Sequence, residues 1–267
     1  MVFNGLVWVP RFFNFDKRAQ SMIADGVQGF SYQKVPDSFD GITKPTMFKE
    51  NDFFWAFQEI VNTYGIPNYK EVNPAVFAIV TFPFFFGVMF GDIMHGTLLF
   101  LFASYLCWSP RTPGTLAGAI GPVRYLLLLM GVFSMFCGLI YNDFSSMGTQ
   151  MFGKGCYEAK PASKTATVMY AKRIDKDCMY PFGIDPVWYR SNQEIMYMNS
   201  LKMKMSVIFG VLQMTLGTIC KGMNAIYFKR YVELIFDVIA QIVLLWALFG
   251  FMDILIIVKL TTDCETL

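Results

Sequence analysis

Asp92 and His95 stand three residues apart in the stretch GDIMHG, a spacing that puts two side chains on one helical face, and His95 is the chain's only histidine. A carboxylate beside an imidazole can relay a proton or hold an ion pair, and the flanking sequence is apolar, where an ionisable group is expensive. The plainer reading has Asp92 capping a helix and His95 in a wet turn at a membrane interface. Lys202 and Lys204 open another apolar run, close enough to its end to snorkel to headgroups without any partner. Asp237 falls in the first turn of a further run, where the helix dipole favours negative charge, and Asp253 lies near its far end, within reach of headgroups.

Cys107, Cys137 and Cys220 sit in or beside apolar runs, and Cys156, Cys178 and Cys264 in polar segments. Cys156 and Cys178 share one polar segment, and on the non-cytosolic side of a membrane they could form a disulfide; two free thiols are the alternative. No CxxC spacing, hydrolase triad, Walker loop or glycine-rich nucleotide fingerprint occurs. Neither catalytic residues, a metal site nor a cofactor is therefore expected of this chain alone. The absence of a basic run or an RNA-binding aromatic motif argues against a nucleic-acid partner.

These residues must be positioned by elements that live in lipid. Hydrophobic residues make up 55% and charged residues 16% of the 267, against roughly 25% charged in an ordinary soluble domain. The expected fold class is an all-α polytopic membrane protein. It would have about five transmembrane helices, a short cytosolic N-terminal segment and one large extramembrane loop. Residues 1–74 read as aqueous. Phe53, Phe54, Phe57, Ile60, Val61 and Tyr64 recur at helical spacing behind a cap at Asn51 or Asp52, and Gly65 and Pro67 end that amphipathic helix. The membrane domain occupies 75–258. Its apolar stretch from Val76 to Trp108 would run about 50 Å as one helix, too long for a core of about 30 Å. We therefore expect a hairpin of spans 76–91 and 95–108 turning at Gly91–Gly96, with Pro83 kinking the first. Spans at 123–144, 201–220 and 234–258 follow, with loop 145–200 between the third and fourth and a tail at 259–267.

Met1 to Gln20 carries Arg11, Asp16, Lys17 and Arg18, unlike a secretory signal. Placing the N-terminus in the cytosol puts Arg111, Arg124, Lys221, Lys229 and Arg230 in short cytosolic segments, against Lys259 alone in the short segments opposite, as the positive-inside rule prefers; the seven basic residues of the long loop 145–200 weigh little in it. Loop 145–200 would then face away from the cytosol.

Several stretches resemble the large membrane subunit, subunit a, of eukaryotic vacuolar-type proton-translocating ATPases. They are AFQEIVNTYGIPNYKEVNP (56–74), TFPFFFGVMFGDIMHG (81–96), LLMGVFSMFCGLIYNDFSS (128–146), DPVW (185–188), NSLKMKMSVIFGVLQMTLG (199–217) and QIVLLWALFG (241–250). The opening GLVWVPRFF is similar to the end of that family's cytosolic half. The resemblance implies a subunit of a rotary proton pump, with a proteolipid ring, peripheral stalk and stator subunits and the lipid bilayer as partners, in the membrane of a vacuole or other acidic compartment. It places Asp92 and His95 at the acidic and histidine positions of the family's first hairpin, and Lys202 and Lys204 on its lysine-bearing fourth span. The late spans with the family's essential arginine would lie beyond Leu267, so the chain is expected to be truncated at both ends. A non-transporting scaffold or assembly factor derived from the subunit is the alternative.

Overall fold

The computed structural model of the chain describes residues 7–10, 13–24, 33, 44–48, 51–109, 114, 116–161, 169–174, 178–190 and 194–262. Arg11, Arg111 and Cys264, to which the sequence draws attention, lie outside them.

The chain is mostly helical. Helices α1 (Phe15–Ala24) and α2 (Asp52–Asn62) fall in the N-terminal segment, where the sequence pattern marked only the second. Asn51 is the N-cap of α2, without a side-chain capping bond. Its apolar stripe is only partly covered. Phe57 is fully buried and Ala56 nearly so, packed with Leu126, whereas Phe53 is exposed. Tyr64 lies just past the helix end, in the open.

The apolar stretch divides into α3 (Ala75–Met89) and α4 (Ile93–Trp108). The break is tighter than the expected Gly91–Gly96 turn. Asp92 caps α4 with its carboxylate, so the helix begins at Ile93 and His95 is already in its first turn. A short helix α5 (Leu116–Ile120) and a 3-10 turn lead into α6 (Arg124–Tyr141), which ends at Asn142 in left-handed backbone. Helix α7 (Glu194–Tyr227) and helix α8 (Tyr231–Thr261) complete the chain. Two π-helical stretches, Leu234–Ile239 and Trp246–Gly250, interrupt α8. Among the described residues, three helical segments are long and apolar enough to cross a membrane: 117–141, 194–227 and 231–261. The α3 and α4 helices are shorter apolar helices.

Both α3 and α4 pack on α6, and small residues make the contact close. A β-carbon added at Gly131 would meet Phe100 backbone at 2.8 Å, one at Gly96 would meet the Met135 amide at 2.7 Å, and one at Gly87 would meet the Phe133 carbonyl at 2.7 Å. These contacts make α4 antiparallel and α3 parallel to α6. Helix α7 runs antiparallel to α3, joined by Phe84–Phe209 and by Met198 beside Val88. Helix α8 returns along α7, with Val238 near Gly222 and Lys221 Nζ 2.5 Å from Asp237.

Polar contacts therefore gather at two opposite ends. At the Arg124 end, Arg124 approaches Asp52 at 3.5 Å, Asn73 donates to Gln58, and the Val72 amide donates to Asn224. At the Tyr141 end lies the long segment between α6 and α7. It holds hairpin β1 (Asp143–Phe144) and β2 (Met147–Gly148), hairpin β3 (Tyr157–Pro161) and β4 (Met169–Arg173) and a 3-10 turn at Pro186–Arg190, and leads into the first residues of α7.

Candidate polar site at the Tyr141 end

The chain reverses between α3 and α4 directly against the end of α6, because glycines leave no side chain in the way. A β-carbon at Gly138 would stand 2.6 Å from the Ile93 amide nitrogen, and one at Gly91 would stand 2.6 Å from the Tyr141 ring. The α3 carbonyls left without helical donors are met from α6. Ser134 donates to the Phe90 carbonyl at 2.6 Å, and the Tyr141 hydroxyl donates to the Val88 carbonyl at 2.9 Å.

Asp92 ties three elements together. One carboxylate oxygen accepts from the Met94 amide at 3.0 Å and from the Ser145 amide of the β1–β2 turn at 2.9 Å. The other meets His95 Nδ1. Burial pushes the Asp92 carboxyl up, but the Ser145 amide, the His95 ring and the Met94 amide together outweigh it and hold the group below its ordinary value. Its side chain is 14% exposed, that of His95 52%, so the pair is shielded on one side and open on the other. The His95 ring also lies edge-on to Phe90.

Asp143 sits just past α6 and accepts from the Ser146 amide at 2.8 Å. Its carboxyl is displaced the other way, upward, chiefly by burial and further by the charge of Asp92, with Lys202 acting against the shift. Tyr189 donates to the Tyr141 carbonyl at 3.2 Å, and burial and then the Asp143 charge push its phenol up. Lys202 of α7 reaches the same place, with Nζ 5.0 Å from the centre of the Tyr141 ring.

The loop is locked onto this cluster. Asn142 donates to the carbonyls of Phe182 and Ile184, and the Ile184 amide donates back to Ile140. Gly183 has φ +78 and lies so close to the Ile140 carbonyl that a β-carbon would overlap it. Cys156 and Cys178 form a disulfide, and the Cys156 amide donates to buried Asp185 at 2.8 Å.

Of the residues singled out in the sequence, Asp92, His95 and Lys202 thus converge. Lys204, two residues further along α7, has no ion pair among the described residues. Two expectations need correction. Asp237 is not in the first turn of its helix, because α8 begins at Tyr231; it pairs with Lys221 instead. Asp253 does not reach outward. It is 8% exposed and one of its carboxylate oxygens has no hydrogen-bond partner. Tyr141, Tyr189, Ser134 and Ser145 were not anticipated, although the polar Asn142–Asp143 step after an apolar run marks their neighbourhood.

The arrangement pairs Asp92 with His95 and fastens the loop to the helices through the Ser145 amide. It contains no activated nucleophile, and among the described residues no group of three or more His, Cys, Asp or Glu could hold a metal ion.

Comparison with known proteins gives one consistent result. The sequence profile of the V-type ATPase 116kDa subunit family matches residues 2–266. The V-type proton ATPase subunit a1 of Arabidopsis thaliana is 43% identical over 228 residues, covering 83% of this chain and 28% of the relative. The vacuolar proton translocating ATPase 100 kDa subunit of Dictyostelium discoideum is 41% identical over 223 residues, covering 80% and 27%. The V-type proton ATPase 116 kDa subunit a 4 of Homo sapiens is 37% identical over 237 residues, covering 80% and 28%. The chain therefore spans a little over a quarter of the length of these relatives.

Proposed function

Because this chain belongs to the V-type ATPase 116kDa subunit family, we propose that it is part of the membrane sector of a vacuolar-type proton-pumping ATPase. In that role it takes part in ATP-driven rotary proton translocation and organelle acidification, while other subunits hydrolyse ATP. Its partners are the proteolipid ring and the peripheral stalk and stator subunits. The observation that carries the reading is the 43% identity over 83% of the chain to a proton ATPase subunit.

Within that assembly we assign the chain five spans: α3, α4, the α5–α6 segment, α7 and α8. The N-terminal segment lies in the cytosol, and residues 143–190 lie in the lumen of an acidic compartment. The Cys156–Cys178 disulfide supports this side, since such bonds persist where the medium is oxidising. Arg124, Lys221, Lys229 and Arg230, all towards the opposite end, support it by the positive-inside rule. Asp92, His95 and Lys202 serve here as a structural knot that holds the first three spans and the lumenal loop in register for the translocating helices.

The test is immunoprecipitation from detergent-solubilised native membranes with an antibody raised to loop residues 148–199. Recovery of ATP-hydrolysing activity together with a proteolipid is the expected result. Recovery of this polypeptide free of both would overturn the pump assignment.

A further inference from the structure

The α7–α8 connection forms an open groove of about 600 Å³ lined by Lys229, Arg230, Tyr231, Val232, Glu233 and Phe236. We propose that it is a subsite for the phosphodiester group of a membrane phospholipid, with Lys229 as its cationic anchor. The proposal requires that the helices lie in a bilayer, and it stands whether or not the chain serves a proton pump.

The charged residues of the lining are Lys229, Arg230 and Glu233. Arg230 is occupied, bonded to Glu233 at 3.0 Å, within 3.9 Å of Glu71 and stacked over Phe228. The neighbouring Lys221 and Asp237 neutralise each other. Lys229 is exposed and has no acidic partner among the described residues, so its ammonium is the cation left open to a phosphodiester's single negative charge. The remaining lining is apolar and open. Val232 is 73% and Phe236 77% exposed, and both follow Lys229 along α8 towards the bilayer interior, where an acyl chain would run. Exposed Tyr227 and Tyr231 flank the turn, as aromatic residues do at the headgroup level.

The backbone adds a second reason. The Arg230 amide donates to the Ala225 carbonyl and the Lys229 amide to Ile226, a Schellman closure of α7. Lys229 occupies its left-handed position, φ 57, which glycine or asparagine fills with less strain. A lysine held there projects its ammonium from a fixed turn rather than from a free helix end.

The experiment titrates the full chain in detergent micelles with dihexanoyl phosphatidylglycerol, read by native mass spectrometry, with inorganic phosphate as competitor. Lys229→Gly should bind about fivefold more weakly, the loss expected for one surface cation near an anionic lipid. Its thermal unfolding should match or exceed that of the wild type, because glycine relieves the turn. Lys229→Arg should retain binding, and Lys259→Gln, at the other end of α8, should leave it unchanged. Equal binding by wild type and Lys229→Gly would overturn the proposal. So would displacement of the lipid by millimolar inorganic phosphate, which would make this a site for free anions.

Discussion

Asp92 gives the clearest single-residue expectation. It accepts from two amides on two different elements and from His95, so Asp92→Asn should cost about 1–3 kcal/mol, the range for an impaired buried charged hydrogen-bond centre. The loss is read as a lower unfolding temperature in micelles. Its pH dependence follows from the lowered carboxyl. The stabilisation is fully present above the ordinary aspartate value of about 3.9 and disappears as pH falls through the lower folded value, so wild type and variant should converge in acid. Asp143 acts with the opposite sign. Its raised carboxyl makes the folded state pay for ionisation, a penalty relieved as pH falls. In the pump proposed above, Asp92→Asn should reduce the amount of complex more than the protons moved per complex; normal assembly with lost pumping would contradict the knot. The Asp92–His95 spacing was legible because three residues along a helix is a local distance. The Ser145, Tyr141 and Tyr189 contacts were not, because they join positions about fifty residues apart through packing.

At the level of elements, apolar length made the helices visible, whereas their ends depended on contacts that no window of sequence contains. Helix α8 starts earlier than its hydropathy suggests because the α7 closure at Lys229 hands the chain straight into it. Asp253 looked like a headgroup-reaching residue from its distance to the helix end, yet which face it occupies is set by the π-helical stretches upstream, and hydropathy carries no sign of those. The α4–α6 seam is testable through its glycines. Gly138→Ala would drive a methyl group into the backbone at Asp92 and Ile93, where no flexible side chain can give way. We expect a loss of about 1–3 kcal/mol, seen in thermal unfolding. Gly210→Ala, with nothing near its added carbon, is the control that should change little.

On the scale of the whole molecule, the disulfide closes a separation of 22 residues around the β3–β4 hairpin. Its removal in Cys156→Ser with Cys178→Ser should cost roughly 3 kcal/mol by loop-closure entropy. In sealed vesicles, a membrane-impermeant maleimide applied after reduction should label these thiols only from the side opposite the N-terminus; labelling from the same side would refute the proposed orientation. The family resemblance was legible because its motifs run in order along most of the chain, whereas sidedness rested on a handful of lysines and arginines. A separate consequence belongs to α3 and α4. With 15 and 16 residues they measure about 22 and 24 Å, short of a hydrocarbon layer of about 30 Å. If both cross, the surrounding lipid must thin to meet them, at a fraction of a kcal/mol per ångström of hydrophobic mismatch. The protein should then be more heat-stable in bilayers of fourteen-carbon lipids than of twenty-carbon lipids. It would carry with it a ring of compressed membrane beside the α3–α4 pair.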